Sequence, residues 1–105
     1  MDDLAALCGG TTTHRNRYPG WDYAPNSAVR DAYAKAFAAQ FGSEPKMLAI
    51  HAGLESGYIK KRLPDMDIIS VGPNMKNIHS PDEQLFLPSV CRVWQVLLQV
   101  LRDWH

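Results

Sequence analysis

From Ser27 to Phe41 the apolar positions return every three or four residues. Val29, Ala32, Tyr33, Ala36 and Phe37 fall on one face, with Gln40 as the polar exception. That period predicts a helix, which Asn26 or Ser27 can cap and which Gly42 can end in the left-handed conformation. A second helical stripe lies near the end of the sequence. Pro88 suits a first helical position, and Val90, Val93, Trp94, Leu97, Leu101 and Trp104 follow as its apolar face. Between the two helices, "KMLAI" (46–50) and "DIISV" (67–71) are short continuous apolar runs. Pro45 and "HAG" bound the first and "GP" ends the second, so both read as buried strands. Leu54 to Leu63 reads as a short basic helix ended by Pro64, and "QLFL" (84–87) as a short extended piece.

The opening is of a different kind. "DDLAALCGG" has the form of the last turns of a helix stopped by Gly9 and Gly10, and the β-branched, polar "TTTHRNR" (11–17) suits an exposed strand. "YPGWDYAPNS" (18–27) is a connector by its prolines, glycine and asparagine, yet its aromatics Tyr18, Trp21 and Tyr23 need something to pack on.

Apolar strands alternating with helices indicate an α/β layer with a parallel-rich sheet, residues 46–71 forming a right-handed crossover. Such sheets are covered on both faces and usually hold four or more strands. This chain offers two good strands and one poor one, with open apolar edges of the kind soluble proteins avoid. The expectation is a part of a larger α/β domain.

Composition narrows the partners. At 105 residues the chain is one domain at most. Its 46% hydrophobic and 21% charged content indicates a globular rather than a disordered chain. Eleven basic residues balance eleven acidic ones, so no general field gathers phosphates or anionic lipid, and neither nucleic acid nor a membrane is an expected partner. Cys8 and Cys91 lie far apart and outside any CxxC pattern, which points to free thiols in a reducing compartment. "MDDLAALCGG" carries acid where a signal peptide needs base, and no run approaches the ~18 apolar residues of a membrane span. A cytoplasmic protein is expected.

Two loops carry candidate chemistry. In "NIHSPDEQLFLP" (77–88), Ser80-Pro81-Asp82-Glu83 fits a capping box with proline at the first helical position, and His79 directly precedes it. Only a single turn can follow before Pro88, so the box would serve to hold the loop. A neutral imidazole held there suits zinc, with the nearby carboxylates orienting its other nitrogen. The alternative is a histidine that merely precedes a cap. His51 opens "HAGLESG" beyond the first predicted strand, at the carboxyl edge where open α/β sheets bind ligands. "GPNMKNIHS" leaves the second strand at the same edge, so the two histidine loops are expected to converge. Glu55 would face the same crevice, or would simply complement a helix dipole. Gly53 and Gly57 fit either close backbone approach or ordinary turn packing. Lys60, Lys61 and Arg62 read as a solvated face near a helix C-terminus; Met47, Met66, Met75 and Cys91 read as fillers; His14 and His105 join no constellation.

"YPGW", "IHAGLESG", "DIISVGP" and "IHSPDE", in that order before an amphipathic helix, resemble the end of aminoacyl-histidine dipeptidases. These belong to the co-catalytic zinc peptidases that include carnosinases and tripeptidases. The resemblance covers roughly residues 4 to 104, and Ser56 departs from it where a cysteine is expected. It implies a catalytic α/β domain interrupted by a smaller lid, with residues 1–18 ending the lid, 19–26 connecting, and 27–105 forming the C-terminal part of the catalytic domain. It also implies that His79 is a metal ligand, that His51, Glu55 and Gly53 lie on the substrate side, and that Ser80, Asp82 and Glu83 fix the His79 loop. The implied enzyme carries two zinc ions per site, with cobalt or manganese as alternatives, hydrolyses Xaa-His dipeptides and forms a homodimer. The other metal ligands and the general base are absent from these 105 residues, so the chain by itself is expected to be inert. Two rivals stand beside this reading. One is a free-standing binding or assembly module that buries its edges by dimerising. The other is a small zinc-binding protein using His51, Glu55 and His79 together.

Overall fold

The computed structural model describes residues 1–50 and 52–104. The elements run in the order α1 (Asp2–Leu7), α2 (Ala28–Phe41), α3 (Glu55–Arg62), β1 (Met75–Lys76), β2 (Gln84–Leu85) and α4 (Leu87–Asp103). Helix α1 closes as the two glycines predict: the Gly9 N–H reaches the Ala6 carbonyl and the Gly10 N–H the Ala5 carbonyl, a paired C-terminal cap.

Helix α2 forms where its period places it. Ser27, not Asn26, is the cap, its hydroxyl accepting the Arg30 N–H at 3.1 Å. Gly42 ends the helix with φ 67°, a conformation that costs a β-carbon-bearing residue about 1 kcal/mol or more. The Arg30 guanidinium donates to the Ala24 and Pro25 carbonyls at 2.6 and 2.9 Å and lies 5.1 Å from the centre of the Tyr23 ring, which ties the connector to the helix.

The core is the contact of α2 with α4. Tyr33 and Ala36 of α2 and Val96 and Val100 of α4 are buried, and Ala32, Phe37, Phe41, Leu97 and Ile69 pack around them. Alanine at position 36 lets the two helices approach, and the Gln40 side chain bridges them by donating to the Gln95 carbonyl at 3.0 Å. The predicted face of α2 is the buried one. The predicted face of α4 is rotated. Val96, absent from that stripe, is fully buried, whereas Trp94 and Leu101 are 59% and 71% exposed. Helix α4 keeps Arg92, Gln95, Gln99, Arg102 and Asp103 on one polar face, but its apolar arc spans more than half of the circumference, so its own period could not say which part of that arc meets α2.

The expected parallel-rich sheet does not form among the described residues. Among the described residues the strands are a two-residue antiparallel pair, with Met75 opposite Leu85 and Lys76 opposite Gln84. "KMLAI", "DIISV" and "TTTHRNR" take no strand structure. A strand holds only where a neighbour completes its hydrogen bonds, and two short apolar runs joined by one short helix cannot cover each other's two faces. Residues 46–50 are accordingly exposed, while Ile69 is drawn into the helix core. "QLFL" divides in the same spirit: Gln84 and Leu85 pair, Phe86 caps α4, and Leu87 begins it.

Helix α4 is locked to the strand pair by one buried hydroxyl. Ser89 accepts the Asn74 N–H at 2.8 Å and donates to the Phe86 carbonyl at 2.6 Å, while the Phe86 N–H reaches the Asn74 carbonyl at 3.0 Å. The molecule is nevertheless open. Its radius of gyration is 18.3 Å, against about 13 Å for a compact chain of this length. Its accessible surface is 9058 Å², against about 5,900 Å² for a compact monomer of this mass.

Candidate functional site

Residues 77–83 link β1 to β2 through two consecutive turns. The Ser80 N–H closes the first on the Asn77 carbonyl at 3.2 Å, and the Glu83 N–H closes the second on the Ser80 carbonyl at 3.1 Å. His79 holds the third position of the first turn with φ 65°, and Asn77 also has a positive φ, 52°. A histidine in this region is strained by about 1–2 kcal/mol and persists only where its surroundings impose it.

The imposing groups are the three residues the sequence marks as loop-fixing. The Glu83 carboxylate accepts the His79 N–H at 2.9 Å, a charge-assisted bond. The Ser80 hydroxyl donates to the Asn77 carbonyl at 2.7 Å and accepts the Asp82 N–H at 3.2 Å. The Asp82 carbonyl in turn accepts from the Asn77 side chain at 3.3 Å. The capping box is therefore real in composition and altered in use. Glu83 reaches past Ser80 to the histidine, and no helical turn follows, because Gln84 and Leu85 are taken by the strand pair.

His79 is exposed, and among the described residues its ring has no hydrogen-bond partner. The Asp82 carboxylate is likewise exposed in the same loop. One held imidazole fits a single position of a zinc coordination sphere, which needs at least three protein ligands. No group of three or more metal-binding side chains is assembled among the described residues. Among the described residues, His79 by itself does not constitute a metal site.

The second loop is built differently. His51 lies outside the described residues. Glu55 is the first residue of α3, where its carboxylate complements the helix dipole, and Lys60, Lys61 and Arg62 occupy the last turn as predicted. Lys60 also donates to the Met66 carbonyl at 2.7 Å, drawing the chain back after Pro64. Among the described residues no hydrogen bond or ion pair joins the Glu55 turn to the His79 loop.

What sequence reasoning missed here is the covering of α3 by residues 18–20. The Tyr18 ring lies against Gly53 and meets the Tyr58 ring edge-on at 4.6 Å between centres. Loss of solvent around the Tyr18 hydroxyl, reinforced by the Glu55 charge and by Tyr58, raises its pKa. Gly57 is buried beneath the Pro19 carbonyl. The signal was present as two glycines in α3's entry and first turn and as a connector overloaded with aromatics. Their pairing was not readable from either alone. A separate cluster joins Asp2, Thr12 and His14: the Asp2 carboxylate accepts from the Thr12 hydroxyl and from His14 Nε2, the latter at 2.7 Å, and these bonds lower its pKa.

Residues 10–103 match the profile of peptidase family M20/M25/M40. The chain is 39% identical over 103 residues to the cytosol non-specific dipeptidase of Escherichia coli strain K12, covering 98% of this chain and 21% of that protein. It superimposes on the crystal structure of an aminoacylhistidine dipeptidase from Vibrio alginolyticus with a TM-score of 0.81 at 33% identity, over 95% of this chain and 20% of that one. The chain thus spans about a fifth of the length of these relatives. With the profile running through both the Glu55 turn and the His79 loop, the chain belongs to peptidase family M20/M25/M40.

Proposed function

We propose that this chain is the C-terminal segment of a two-zinc dipeptidase acting on Xaa-His dipeptides, and that it supplies one metal ligand and part of the substrate wall. The observation that carries the reading is the His79 loop. A strained histidine is held by a carboxylate, a hydroxyl and two tight turns, with its ring unpartnered among the described residues. Such holding serves a ligand that must stay fixed before the metal arrives.

In this reading His79 holds zinc through its imidazole, and Glu83, Ser80 and Asp82 keep its backbone in place. Glu55 and Gly53, with His51 beside them in sequence, border the dipeptide. When bound, the metal supplies Lewis-acid polarisation of the scissile carbonyl and activation of the hydrolytic water, with cobalt or manganese able to take the same place. Residues 1–18 belong to a lid, 19–26 to the connector, and 27–105 to the catalytic domain, whose parallel-rich sheet the runs 46–50 and 67–71 join. The enzyme is cytoplasmic and homodimeric. The 105-residue chain alone hydrolyses nothing.

Exposed apolar surface supports the same reading, because residues 46–50 and the outer face of α4 need covering. The test is hydrolysis of Xaa-His dipeptides by the full-length polypeptide and by this chain. Activity in the former, lost in His79→Ala while Cys91→Ala retains it, is the expected result. Turnover by the isolated chain that disappears in His79→Ala would overturn the proposed inertness and favour a self-contained zinc protein.

A further inference from the structure

The five residues from Gly53 to Gly57 are gripped at both ends by the three residues Tyr18, Pro19 and Gly20. At the first grip, a β-carbon on Gly53 would stand 3.3 Å from three atoms of the Tyr18 ring. At the second, a β-carbon on Gly57 would stand 2.6 Å from the Pro19 carbonyl oxygen and 3.7 Å from that of Gly20. The first contact is tight, and the second leaves no room for any side chain. Tyr58 braces the outer edge of the Tyr18 ring. Glu55 lies between the grips and belongs to neither.

A ring and a peptide carbonyl are stiff groups. Neither yields by changing a rotamer, so a displacement of residues 18–20 must carry the first turn of α3 with it. We propose that Tyr18-Pro19-Gly20 is the strap that positions Glu55, with the Tyr18 ring on Gly53 and the Pro19 carbonyl on Gly57 fixing its turn from both sides. The inference rests on reading Glu55 as a substrate-side residue and residues 19–26 as the connector. On that reading, with residue 18 ending the lid, the strap ties the placement of a substrate-wall carboxylate to the junction of the lid and the connector. Tyr18 is a positioning residue and touches no substrate.

The first test needs no activity. In the 105-residue chain, NMR is expected to show proximity of the Tyr18 ring protons to the Gly53 α-protons. Titration of the Tyr18 ring is expected to shift to lower pH in Glu55→Gln. In Gly57→Ala the proximity disappears and Glu55→Gln no longer moves the titration. Absence of the proximity in the unsubstituted chain, or an unchanged response to Glu55→Gln in Gly57→Ala, overturns the strap.

The second test reads KM against kcat in the full-length polypeptide. Partial unfolding lowers the active fraction but leaves KM alone. Misplacement of Glu55 instead raises KM, by roughly tenfold for a shift of a fraction of an ångström. Gly57→Ala and Tyr18→Ala are expected to raise KM to about the level of Glu55→Gln and to add little in that background, while Tyr18→Phe, which keeps the ring, restores the value. If Glu55→Gln raises KM and the strap variants do not, the positioning role falls alone. If Glu55→Gln leaves KM unchanged, the substrate-side reading of Glu55 falls and takes the positioning role with it.

Discussion

The carboxylate of Asp67 accepts the backbone N–H of Val29 at 3.0 Å, so that a residue from the run after α3 caps the first turn of α2. Four influences favour the charged form: first the Val29 N–H, then the Ser27 hydroxyl, the Ala28 N–H and the Arg30 charge. Against the opposing loss of solvent they hold its pKa below the usual carboxylate value. The folded value lies below the unfolded value of about 3.9, so the stabilisation is fully present above that pH and is lost as pH falls through the folded value. Asp67→Asn is expected to weaken the chain by no more than about 1 kcal/mol, since the carboxylate is exposed and screened. It should also flatten the acid limb of a urea-midpoint profile. An acid limb identical to that of the unsubstituted chain would deny the cap its role.

His79→Gly separates holding from ligation. Glycine accepts φ 65° without the strain histidine carries, so the substitution is expected to leave stability unchanged or raise it by up to about 1 kcal/mol. If the proposed function holds, zinc-dependent dipeptide hydrolysis by the full-length polypeptide is lost in the same variant. A destabilised His79→Gly chain in urea would mean that the ring makes contacts its exposure does not suggest.

Glu83→Ala acts on the same loop from the other side. The His79 N–H loses its carboxylate acceptor and becomes exposed to water, so its amide exchange should accelerate by roughly tenfold or more, equivalent to the ~1.5–3 kcal/mol of a charged hydrogen bond. Glu83→Gln, which keeps an acceptor, should fall between. Equal exchange rates in all three chains would remove Glu83 from the account of the loop.

Ser89→Ala is expected to cost about 1–3 kcal/mol, because the Asn74 N–H is left without its partner at the junction of the strand pair and α4. A urea unfolding curve reports it. Val96→Ala should cost a similar amount through lost packing at the helix contact, whereas Leu101→Ala should have little effect on the isolated chain.

The outer face of α4 makes a prediction about association. Trp94 and Leu101 on α4, and Trp104 just past its end, are exposed, while the other side of the helix is already packed. At high concentration the isolated chain is expected to self-associate, and Trp94→Lys with Leu101→Lys should return it to a monomer by light scattering. In the full-length polypeptide the same pair should instead lower stability. A monomeric, unsubstituted chain at millimolar concentration would contradict the first expectation.

Local signals in the sequence were read well where the answer was local. The Ser27 cap, the Gly42 and Gly9–Gly10 stops, the basic end of α3 and the composition of the His79 loop all appear where residue chemistry placed them. The failures share a cause, which is that the deciding partner is distant or missing from these residues. "KMLAI" and "DIISV" have strand composition but no ladder to join. The stripe on α4 falls to one side of the buried one because the helix's apolar arc is broad and only α2 could choose which part of it to cover. The capping box at Ser80 was correctly composed, yet β2 claimed the residues that would have continued the helix. Asp67, Ser89 and Tyr18 act across long sequence gaps, and no spacing rule connects them to Val29, Asn74 or Gly53.

Because the core joins α2 to α4, everything from 42 to 86 is in effect one large loop closed by a two-helix clasp. Closing such a loop carries an entropic penalty that grows only slowly with length, about 0.6 kcal/mol for each doubling. Insertions within it should therefore be thermodynamically mild, provided they spare the two turns around His79 and the run that carries Asp67. The clasp and the loop are also separable units of stability. Amide protons of α2 and α4 should exchange last and together, while those of 43–50 and 52–54 exchange early, so that this stretch opens without the helix pair coming apart.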